Sequence, residues 1–459
     1  MSTVLFRADS SFEIGTGHIM RDLVLAEREF ADWRVIFAVR DLPGNVYHKI
    51  TEAGHEIVTL AGHGVEELAE TVKKVEAETV VIDHYGIGYE EEKRLKELTG
   101  ATLFVLDDTY ERHFCDILLN HNVYAEADRY KGLVPQGCEV CCGMPHTLIR
   151  REFYEAKKRR VKRDKGAFYV FVAMGGADTA GLNLPLLKLL RSFEKIRIDI
   201  VTTRANRNLA ALEEAVAQTP NATLHVESER MALLMARADL AIVTPSVVLN
   251  EVIFMAVPFV AIRIASNQDE MVAWLKRRGE TVVSAGDFAC AVLAEVAGRC
   301  LRTVPFERLS GEERKRVWRW RNDDRIRRRM FNKKPVGWEE HLAFLERLDG
   351  RNDRKYWLVY ENESPIGVVD LTKIDHEEGS AHIGLYADLS RRGKGKALMG
   401  ALVHEAVKLG VTRLIAEVYE SNEKARRLYD LCGFTVTRRR MEAKENLLVM
   451  EREIANRNV

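Results

Sequence analysis

Two glycines and a histidine stand near the start of the chain, in a pattern suited to chemistry on a bound anion. Gly15 and Gly17 flank Thr16, and His18 follows them, between an apolar run at 4–6 and a helical pattern that begins near 21. Glycines let the backbone approach a ligand closely, and free N–H groups at a helix start attract phosphate. Because histidine titrates near neutral pH, His18 is a candidate general base or acid beside that anion.

The same loop has to be compared with the glycine fingerprint of dinucleotide-binding proteins. Asp41, just past the second predicted strand, imitates the acid that binds the ribose. However, Met20 occupies the position of the third glycine, and the loop begins roughly seven residues after the strand instead of at its end. These two departures argue against a nicotinamide enzyme.

Further polar groups follow predicted strands along the first 290 residues. Because ligands of parallel sheets bind beyond the carboxyl ends of the strands, we expect these groups to face one cleft. Glu251 is placed to accept two ribose hydroxyls, although a carboxylate that only interacts with the helix dipole is the alternative. For Asp107 and Asp108 the alternative is loop capping. The full set is Arg21, Asp83, His84, Tyr85, Asp107, Asp108, Gly175, Gly176, Ser246, Asn250, Glu251, Asn267 and Gln268.

A second glycine loop opens an amphipathic helix in the last third of the chain. Successive backbone N–H groups in such a loop form a nest for a pyrophosphate. Asn422 and Tyr429 follow at a distance, and this combination is much more specific than the loop alone. The loop itself consists of Ser390, Arg391, Arg392, Gly393, Lys394, Gly395, Lys396 and Ala397.

The elements that must position these residues alternate between strand and helix. Continuous apolar strands separated by helices indicate parallel sheets covered on both faces, so residues 1–290 predict two similar α/β domains in tandem. After residue 300, strands ahead of the glycine loop predict an α+β module. The predicted strands are 3–8, 34–39, 55–60, 79–83, 102–107, 116–120, 167–173, 196–202, 222–226, 239–243, 258–263, 281–283, 355–361, 365–371, 380–386 and 413–419, and the predicted helices include 64–76, 89–98, 181–193, 206–217, 229–237, 247–255, 268–278, 338–348, 394–409 and 422–431.

These patterns divide the chain into three predicted domains, 1–155, 156–300 and 301–459. The basic run at 157–165 is interpreted as a solvated helix end and a linker. A second link of roughly ten residues is expected near 300–310, and a short tether of this kind gives the attached domains an effective concentration in the millimolar range.

Composition argues against several classes of partner. Lys and Arg total 69 and so do Asp and Glu, so no overall field attracts nucleic acid, and the arginine-rich segment 312–330 is interpreted as a solvated helix face or as arginines that meet the phosphates of a small ligand. The apolar runs are shorter than the ~20 residues of a membrane helix, and with no apolar leader we expect a cytoplasmic protein.

The cysteines do not predict a disulfide framework or a metal site. Seven is an odd number, which argues against paired disulfides. Cys138, Cys141 and Cys142 have only His146 nearby, whereas a structural zinc site takes four ligands. We therefore expect reduced thiols and no metal.

Several longer stretches are characteristic of one family. They are Phe6-Arg-Ala-Asp-Ser-Ser11, Gly15-Thr-Gly-His18, Met20-Arg-Asp-Leu-Val-Leu-Ala26, Ile82-Asp-His-Tyr-Gly-Ile87, Asp116-Ile-Leu-Leu-Asn120, Met174-Gly-Gly176, Asn250-Glu251 and Asn267-Gln268. On these, residues 3–290 closely resemble the UDP-sugar hydrolases of pseudaminic acid biosynthesis. The resemblance implies a GT-B fold and metal-free attack of water on the anomeric carbon of UDP-2,4-diacetamido-2,4,6-trideoxy-β-L-altrose. It places the catalytic histidine at His18, nucleotide binding at Glu251, and phosphate and sugar contacts at Asn267 and Gln268.

The glycine loop, with the Asn-x-x-Ala-x-x-x-Tyr pattern that starts at Asn422, resembles the GNAT N-acetyltransferases, which implies acetyl-CoA as co-substrate. Ser390 departs from the usual Gln or Arg of that loop. The resemblance places Tyr429 beside the leaving thiolate and makes Glu417 a candidate base, with pairing to an arginine as the alternative; His382 is equally open. Similarity to the subgroup that acetylates amino sugars on UDP rests on Trp320-Arg-Asn322, Arg327, Met330 and Glu340-His341.

Together these resemblances predict a bifunctional enzyme that acetylates UDP-4-amino-4,6-dideoxy-N-acetyl-β-L-altrosamine and then hydrolyses the product to free sugar and UDP. They also imply a pathway that serves flagellin glycosylation, with contact to other pathway enzymes. One alternative is a glycosyltransferase that passes a UDP-sugar to an acceptor. Another is a catalytically inactive UDP-sugar sensor fused to an acetyltransferase, which would not need a base at His18.

Overall fold

The computed structural model describes residues 1–11, 13–159, 161, 163–442 and 445–454. The chain divides into two compact units, Met1–Arg159 and Arg160–Val459, which we call unit 1 and unit 2. Arg160 and Lys162, in the predicted basic linker, lie outside the described residues.

Unit 1 contains one seven-stranded sheet in the order β3-β2-β1-β4-β5-β6-β7, and every pairing in it is parallel. The central strands β1 and β4 are buried along their whole length, as expected for a parallel sheet with both faces covered. The elements are β1 Thr3–Ala8, α1 Gly17–Glu29, β2 Arg34–Val39, α2 His48–Glu52, β3 Glu56–Thr59, α3 Val65–Lys74, β4 Thr79–Asp83, α4 Tyr89–Thr99, β5 Thr102–Leu106, β6 Ile117–Asn120, β7 Glu139–Cys142 and α5 Arg151–Lys158.

The first sheet of unit 2 has six strands in the order β10-β9-β8-β11-β12-β13, again all parallel. It repeats the arrangement of unit 1, because the chain order reverses between β8 and β11 as it does between β1 and β4. The elements are β8 Phe168–Ala173, α6 Asn183–Leu190, β9 Ile196–Thr202, α7 Leu209–Ala217, β10 Ala222–Val226, α8 Met231–Arg237, β11 Leu240–Val243, α9 Val247–Phe254, β12 Phe259–Arg263, α10 Asp269–Arg277, β13 Val282–Ser284 and α11 Phe288–Cys300.

The second sheet of unit 2 is mixed, with the order β14-β15-β16-β17-β18-β20-β19. Its one parallel pair, β17 with β18, is bonded only over residues 380–382 and 413–415, so the two strands part beyond that point. The elements are β14 Leu301–Pro305, α12 Gly311–Asn322, α13 Asp324–Arg327, α14 Trp338–Glu346, β15 Arg354–Glu361, β16 Ser364–Asp375, β17 Ser380–Ala387, α15 Gly395–Lys408, β18 Arg413–Tyr419, α16 Glu423–Leu431, β19 Thr435–Glu442 and β20 Glu445–Glu453. Two parallel α/β sheets followed by this mixed sheet confirm the predicted fold class.

The two sheets of unit 2 share one hydrophobic core, with α11 of the first part packed against α15 of the second. The contact is close because Gly400 of α15 faces the backbone of α11: a Cβ there would collide with the Leu293 carbonyl oxygen and lie 2.9 Å from the Ala297 Cβ. The expected link near 300–310 is wrong. Helix α11 ends at Cys300, and β14 begins at the next residue as an edge strand of the mixed sheet.

No helix in the described part of the chain is both long and apolar enough to cross a membrane.

Replacing Gly400 by alanine is expected to lower the free energy of unfolding of unit 2 by about 1–3 kcal/mol, the usual cost of forcing extra atoms into a packed interior. Gly311→Ala is the matched control, because Gly311 also lies in a helix but has open space around its Cα. Denaturant unfolding of the whole chain measures both. Equal midpoints for Gly400→Ala and the wild type would contradict the close packing of α11 on α15.

Candidate active sites

Unit 1 gathers three predicted residues at the crevice between β1 and β4. His18 and Arg21 lie near the start of α1, and Asp83 is the last residue of β4. His18 Nδ1 lies 2.7 Å from Asp83 Oδ1, and Arg21 donates from Nε to Asp83 Oδ2 at 2.6 Å. We call these three residues the His18 cluster. It occupies the place where ligands of open α/β sheets bind, at the switch point of the strand order.

The buried carboxyl group of Asp83 orients the imidazole of His18. Burial alone would raise the pKa of Asp83, but the charge of Arg21 and the hydrogen bonds from Arg21 and His18 hold it well below its usual range. An anionic carboxylate only accepts hydrogen bonds, so His18 donates to it from Nδ1, and Nε2 is left for another partner. When the ring is neutral, Nε2 is the nitrogen that can take a proton from water.

Asp108 and Tyr85 extend the cluster. Arg21 donates from its NH1 nitrogen to Asp108 Oδ2 at 3.0 Å, and the Tyr85 hydroxyl donates to Asp108 Oδ1 at 2.9 Å. The Tyr85 ring meets the His18 imidazole edge-on, 5.1 Å between ring centres. Burial, followed by the charge of Asp108, raises the pKa of Tyr85 to about 12, so the phenol is a neutral donor at neutral pH. Asp107 instead caps its own loop, accepting from Thr109 N at 3.0 Å.

Sequence reasoning missed two residues behind the cluster, Asp22 and His121. Asp22 is 1% exposed, and its carboxyl group hydrogen-bonds with that of Asp83 when it is protonated. Burial, followed by the charge of Asp83, raises the pKa of Asp22 well above its usual range. The sequence does contain a signal for it, because Asp22 falls on the apolar stripe of α1 formed by Ile19, Leu25 and Ala26.

The glycines before His18 have different roles. Gly15 has a φ of +84°, a conformation that other residues adopt at a cost, and its N–H donates to Ser11 O at 2.9 Å. Gly17 is the first residue of α1 and has open space where a side chain would stand. The loop therefore leaves room beside His18 for another molecule.

In the first sheet of unit 2, the predicted residues follow three neighbouring strands, β8, β11 and β12. A Cβ on Gly176 would lie 2.9 Å from Thr203 Cγ2, so a larger residue would require Thr203 to shift. Asn250 is 2% exposed, and its Oδ1 has no hydrogen-bond partner among the described atoms. Gln268 Oε1 accepts from Ile264 N at 2.8 Å. The remaining members of the set are Gly175, with a φ of +79°, Ser246 just before α9, buried Glu251 within α9, and exposed Asn267.

The glycine loop of the mixed sheet has its free N–H groups at the start of α15, and Gly393 has a φ of +82°. Two of its lysine side chains are committed elsewhere in unit 2. Lys394 is buried and pairs with Glu361 at 2.5 Å and with Glu194 at 2.8 Å. Lys396 donates to the Lys188 carbonyl at 2.7 Å. A phosphate at this loop would therefore meet backbone N–H groups rather than these two ammonium groups.

Tyr429 is buried near the carboxyl end of α16, and burial, followed by the charge of Asp370, raises its pKa well above its usual range. Glu417 on β18 accepts from Arg440 at 2.8 Å and lies 3.5 Å from His382 Nδ1, which is the arginine pairing considered as the alternative to a base. Asn422 caps α16, with its Oδ1 accepting from Ala425 N at 3.4 Å.

One group of side chains in the described structure has metal-like spacing, Asp9 with His63 and His84. The Asp9 carboxylate already accepts from Arg7 at 2.8 Å and from Arg40 Nε at 2.8 Å. Because two guanidinium groups neutralise it and would repel a cation, these residues do not fit a metal ion.

The sulfur atom of Cys138 lies 3.6 Å from the sulfur atom of Cys115.

His121 is expected to make unit 1 sensitive to acid. Burial, followed by the charge of Arg21, lowers the pKa of His121 from 6.5 to about 4. The unfolded chain therefore binds this proton first, and the free energy of unfolding falls between about pH 6.5 and 4, by up to about 3 kcal/mol. Unfolding of wild type and His121→Gln across this range measures the difference. Parallel pH slopes for the two proteins would contradict it.

Comparison with known proteins relates two parts of the chain to two families. Residues 315–434 match the acetyltransferase (GNAT) family. The UDP-2,4-diacetamido-2,4,6-trideoxy-β-L-altropyranose hydrolase of Campylobacter jejuni is 40% identical over 280 residues, which are 61% of this chain and 98% of that protein. Acetyltransferase PseH of the same species is 36% identical over 132 residues, 28% of this chain and 82% of that one.

A third relative spans both parts. An uncharacterised protein of Methanocaldococcus jannaschii is 23% identical over 475 residues and covers 95% of this chain and 97% of its own. The chain therefore belongs to the family of the UDP-2,4-diacetamido-2,4,6-trideoxy-β-L-altropyranose hydrolase, and its C-terminal part belongs to the GNAT acetyltransferases.

Proposed function

We propose that this protein is a bifunctional enzyme of pseudaminic acid biosynthesis. The mixed sheet transfers an acetyl group from acetyl-CoA to the 4-amino group of UDP-4-amino-4,6-dideoxy-N-acetyl-β-L-altrosamine. The hydrolase part then cleaves the product, UDP-2,4-diacetamido-2,4,6-trideoxy-β-L-altropyranose, to free sugar and UDP. The observation that carries the proposal is that one chain belongs to both families, and that the product of one reaction is the substrate named for the hydrolase relative.

For hydrolysis, the His18 cluster supplies the base. Water attacks the anomeric carbon, the bond from that carbon to the phosphate oxygen breaks, and UDP leaves with the electron pair. The water proton goes to His18 Nε2, and Asp83 stabilises the imidazolium that forms, through the contact at 2.7 Å. Because UDP is a good leaving group, the main task is to place and deprotonate the water. Arg21 is then the donor to the sugar end, and the Tyr85 oxygen, whose proton already goes to Asp108, is an acceptor there.

The first sheet of unit 2 is assigned to the nucleotide end of the substrate. Glu251 is proposed to accept the ribose hydroxyls, and Asn267 with Gln268 to contact the phosphates and sugar. The open Oδ1 of Asn250 supports this assignment, because a buried acceptor without a partner is costly unless a ligand satisfies it. Gly175, Gly176 and Ser246 would bring backbone N–H groups and a hydroxyl close to the same ligand.

For acetyl transfer, the loop before α15 is proposed to hold the pyrophosphate of acetyl-CoA on backbone N–H groups. The sugar amine attacks the thioester carbon, a C–N bond forms, and the C–S bond breaks. The raised pKa keeps the Tyr429 phenol protonated at neutral pH, so it can donate to the leaving sulfur. The cytoplasm is the compartment we propose for both reactions, and flagellin glycosylation is the proposed use of the pathway.

One assay tests the proposal as a whole. The amino-sugar nucleotide and acetyl-CoA are supplied together, and free CoA, UDP and sugar are followed in time. CoA release followed by UDP release is expected. UDP release only in the presence of a sugar acceptor would indicate a glycosyltransferase instead, and CoA release without any UDP release would indicate a sensor.

His18→Ala is expected to slow UDP release by about 10²- to 10⁴-fold, the usual worth of a general base, while CoA release continues. The matched control is His48→Ala, because His48 also begins a helix of unit 1 and is exposed. It should leave both rates unchanged. Loss of both activities in His18→Ala, or of neither, would contradict the division of labour between the two parts.

Tyr429→Phe is expected to slow CoA release by about 10²-fold, because the leaving thiolate loses its proton donor. UDP release from substrate that is already acetylated should continue at the wild-type rate, which provides an internal control in the same protein. An unchanged rate of CoA release in Tyr429→Phe would show that Tyr429 is not the proton donor to the leaving sulfur.

A further inference from the structure

A carboxyl group in the mixed sheet has no role in the reactions above. Asp370 lies near the middle of β16, opposite Tyr356 of β15 and Gly384 of β17. Within the described structure its carboxylate makes no hydrogen bond and no ion pair. The side chain is only partly buried, so a carboxylate without a partner can here be reached by water or by another molecule.

Gly384 leaves the space that Asp370 occupies. A Cβ on Gly384 would lie 2.7 Å from Asp370 Oδ1 and would collide with Oδ2, so the carboxylate rests directly on the glycine backbone. Gly384 has a strand conformation that other residues adopt readily, and its φ is not positive. The glycine is therefore required for close approach and not for backbone geometry.

This place coincides with the opening between β17 and β18. The last bonded pair of these strands joins His382 to Ile415, and Gly384 lies beyond it, where β17 has no partner on that side. Asp370 also acts electrostatically on Tyr429, since its charge contributes to raising the pKa of that phenol. The carboxyl group is thus near both the opening and the proposed proton donor to sulfur.

We propose that Asp370 is the general base of acetyl transfer, which deepens the function proposed for this part of the chain and rests on it. As the amine nitrogen bonds to the thioester carbon, its proton passes to the Asp370 carboxylate. The C–S electron pair stays on sulfur, which takes the Tyr429 proton. Exchange with water returns the proton from Asp370 and restores the one on Tyr429.

The surroundings of Asp370 suit this role. Tyr356 lies opposite Asp370 on β15. The charge of Asp370 acts on the phenols of Tyr356, Tyr386 and Tyr429, and the charge of Arg321 acts on Tyr386. Burial raises the pKa of Asp370 to about 7, which is where a general base works best at neutral pH. A pair with Tyr429, whose pKa is raised, gives one base and one acid in the same site.

Glu417, the base suggested by family resemblance, is placed less favourably. Its Oε1 accepts from Arg440 at 2.8 Å, and its Oε2 lies 3.5 Å from His382 and 3.9 Å from Lys373. Both oxygens are therefore already oriented toward cationic groups, whereas those of Asp370 are not.

The test is the pH dependence of acetyl transfer by the full chain, carrying Asp370→Asn or Glu417→Gln. For the wild type, kcat/KM should rise with pH through a step near 7, because deprotonated Asp370 is the active form. Asp370→Asn should lose that step and about 10²-fold in kcat, with the KM for acetyl-CoA unchanged. Glu417→Gln should keep the step. The opposite assignment, with the step kept in Asp370→Asn and lost in Glu417→Gln, overturns the proposal.

Two further variants cover the case in which Asp370→Asn does not fold. Gly384→Ala keeps the carboxyl group but displaces it, and should lower kcat and move the step; an unchanged profile overturns the proposal. Asp370→Ala should regain activity with added formate, which a purely structural role would not allow. Wild-type protein that releases no CoA from the amino-sugar nucleotide would instead contradict the function proposed for this part, so the two failures are distinguishable.

Discussion

A parallel sheet has a crevice at the carboxyl ends of two neighbouring strands when the connections from those strands run in opposite directions. Both α/β sheets of this chain are built on that constraint. In unit 1 the crevice lies between β1 and β4, and in unit 2 between β8 and β11. Each sheet delivers its polar residues to that edge because the strands behind it are buried and apolar. The chemistry of unit 1 then depends on one charge, the Asp83 carboxylate, which fixes Arg21 and the tautomer of His18.

The mixed sheet forms its opening in a different way from the two parallel sheets. Here the separation of β17 from β18 makes the opening, and the groups beside it come from β16, β17 and α16. A glycine without a positive φ, Gly384, lets a carboxylate sit where a side chain would otherwise stand. The two active parts thus treat an acid in opposite ways: buried Asp83 is neutralised by Arg21, whereas partly buried Asp370 is left unpaired.

Sequence reasoning predicted most strands and helices because their apolar runs and turns are local signals. It selected His18, Asp83 and Tyr85 as candidates for the same reason, because each lies at the end of a strand or in the segment after it. It missed α11 because that helix is buried on most sides and shows no amphipathic period, and β19 because most of its residues are exposed and polar. The ion pairs of Lys394 with Glu194 and Glu361 could not be predicted either, because the partners are distant in sequence. The role proposed for Asp370 could not be predicted for the same reason, because its site is made by neighbouring strands.

The direct passage from α11 into β14 means that residue 300 is not a place to cut the molecule. An expression product that started at residue 301 would expose the side of α15 around Gly400 that now lies against Leu293 and Ala297. It would also leave Lys394 without Glu194. The last helix of the parallel-sheet part, α11, thus covers the acetyltransferase part and completes its core.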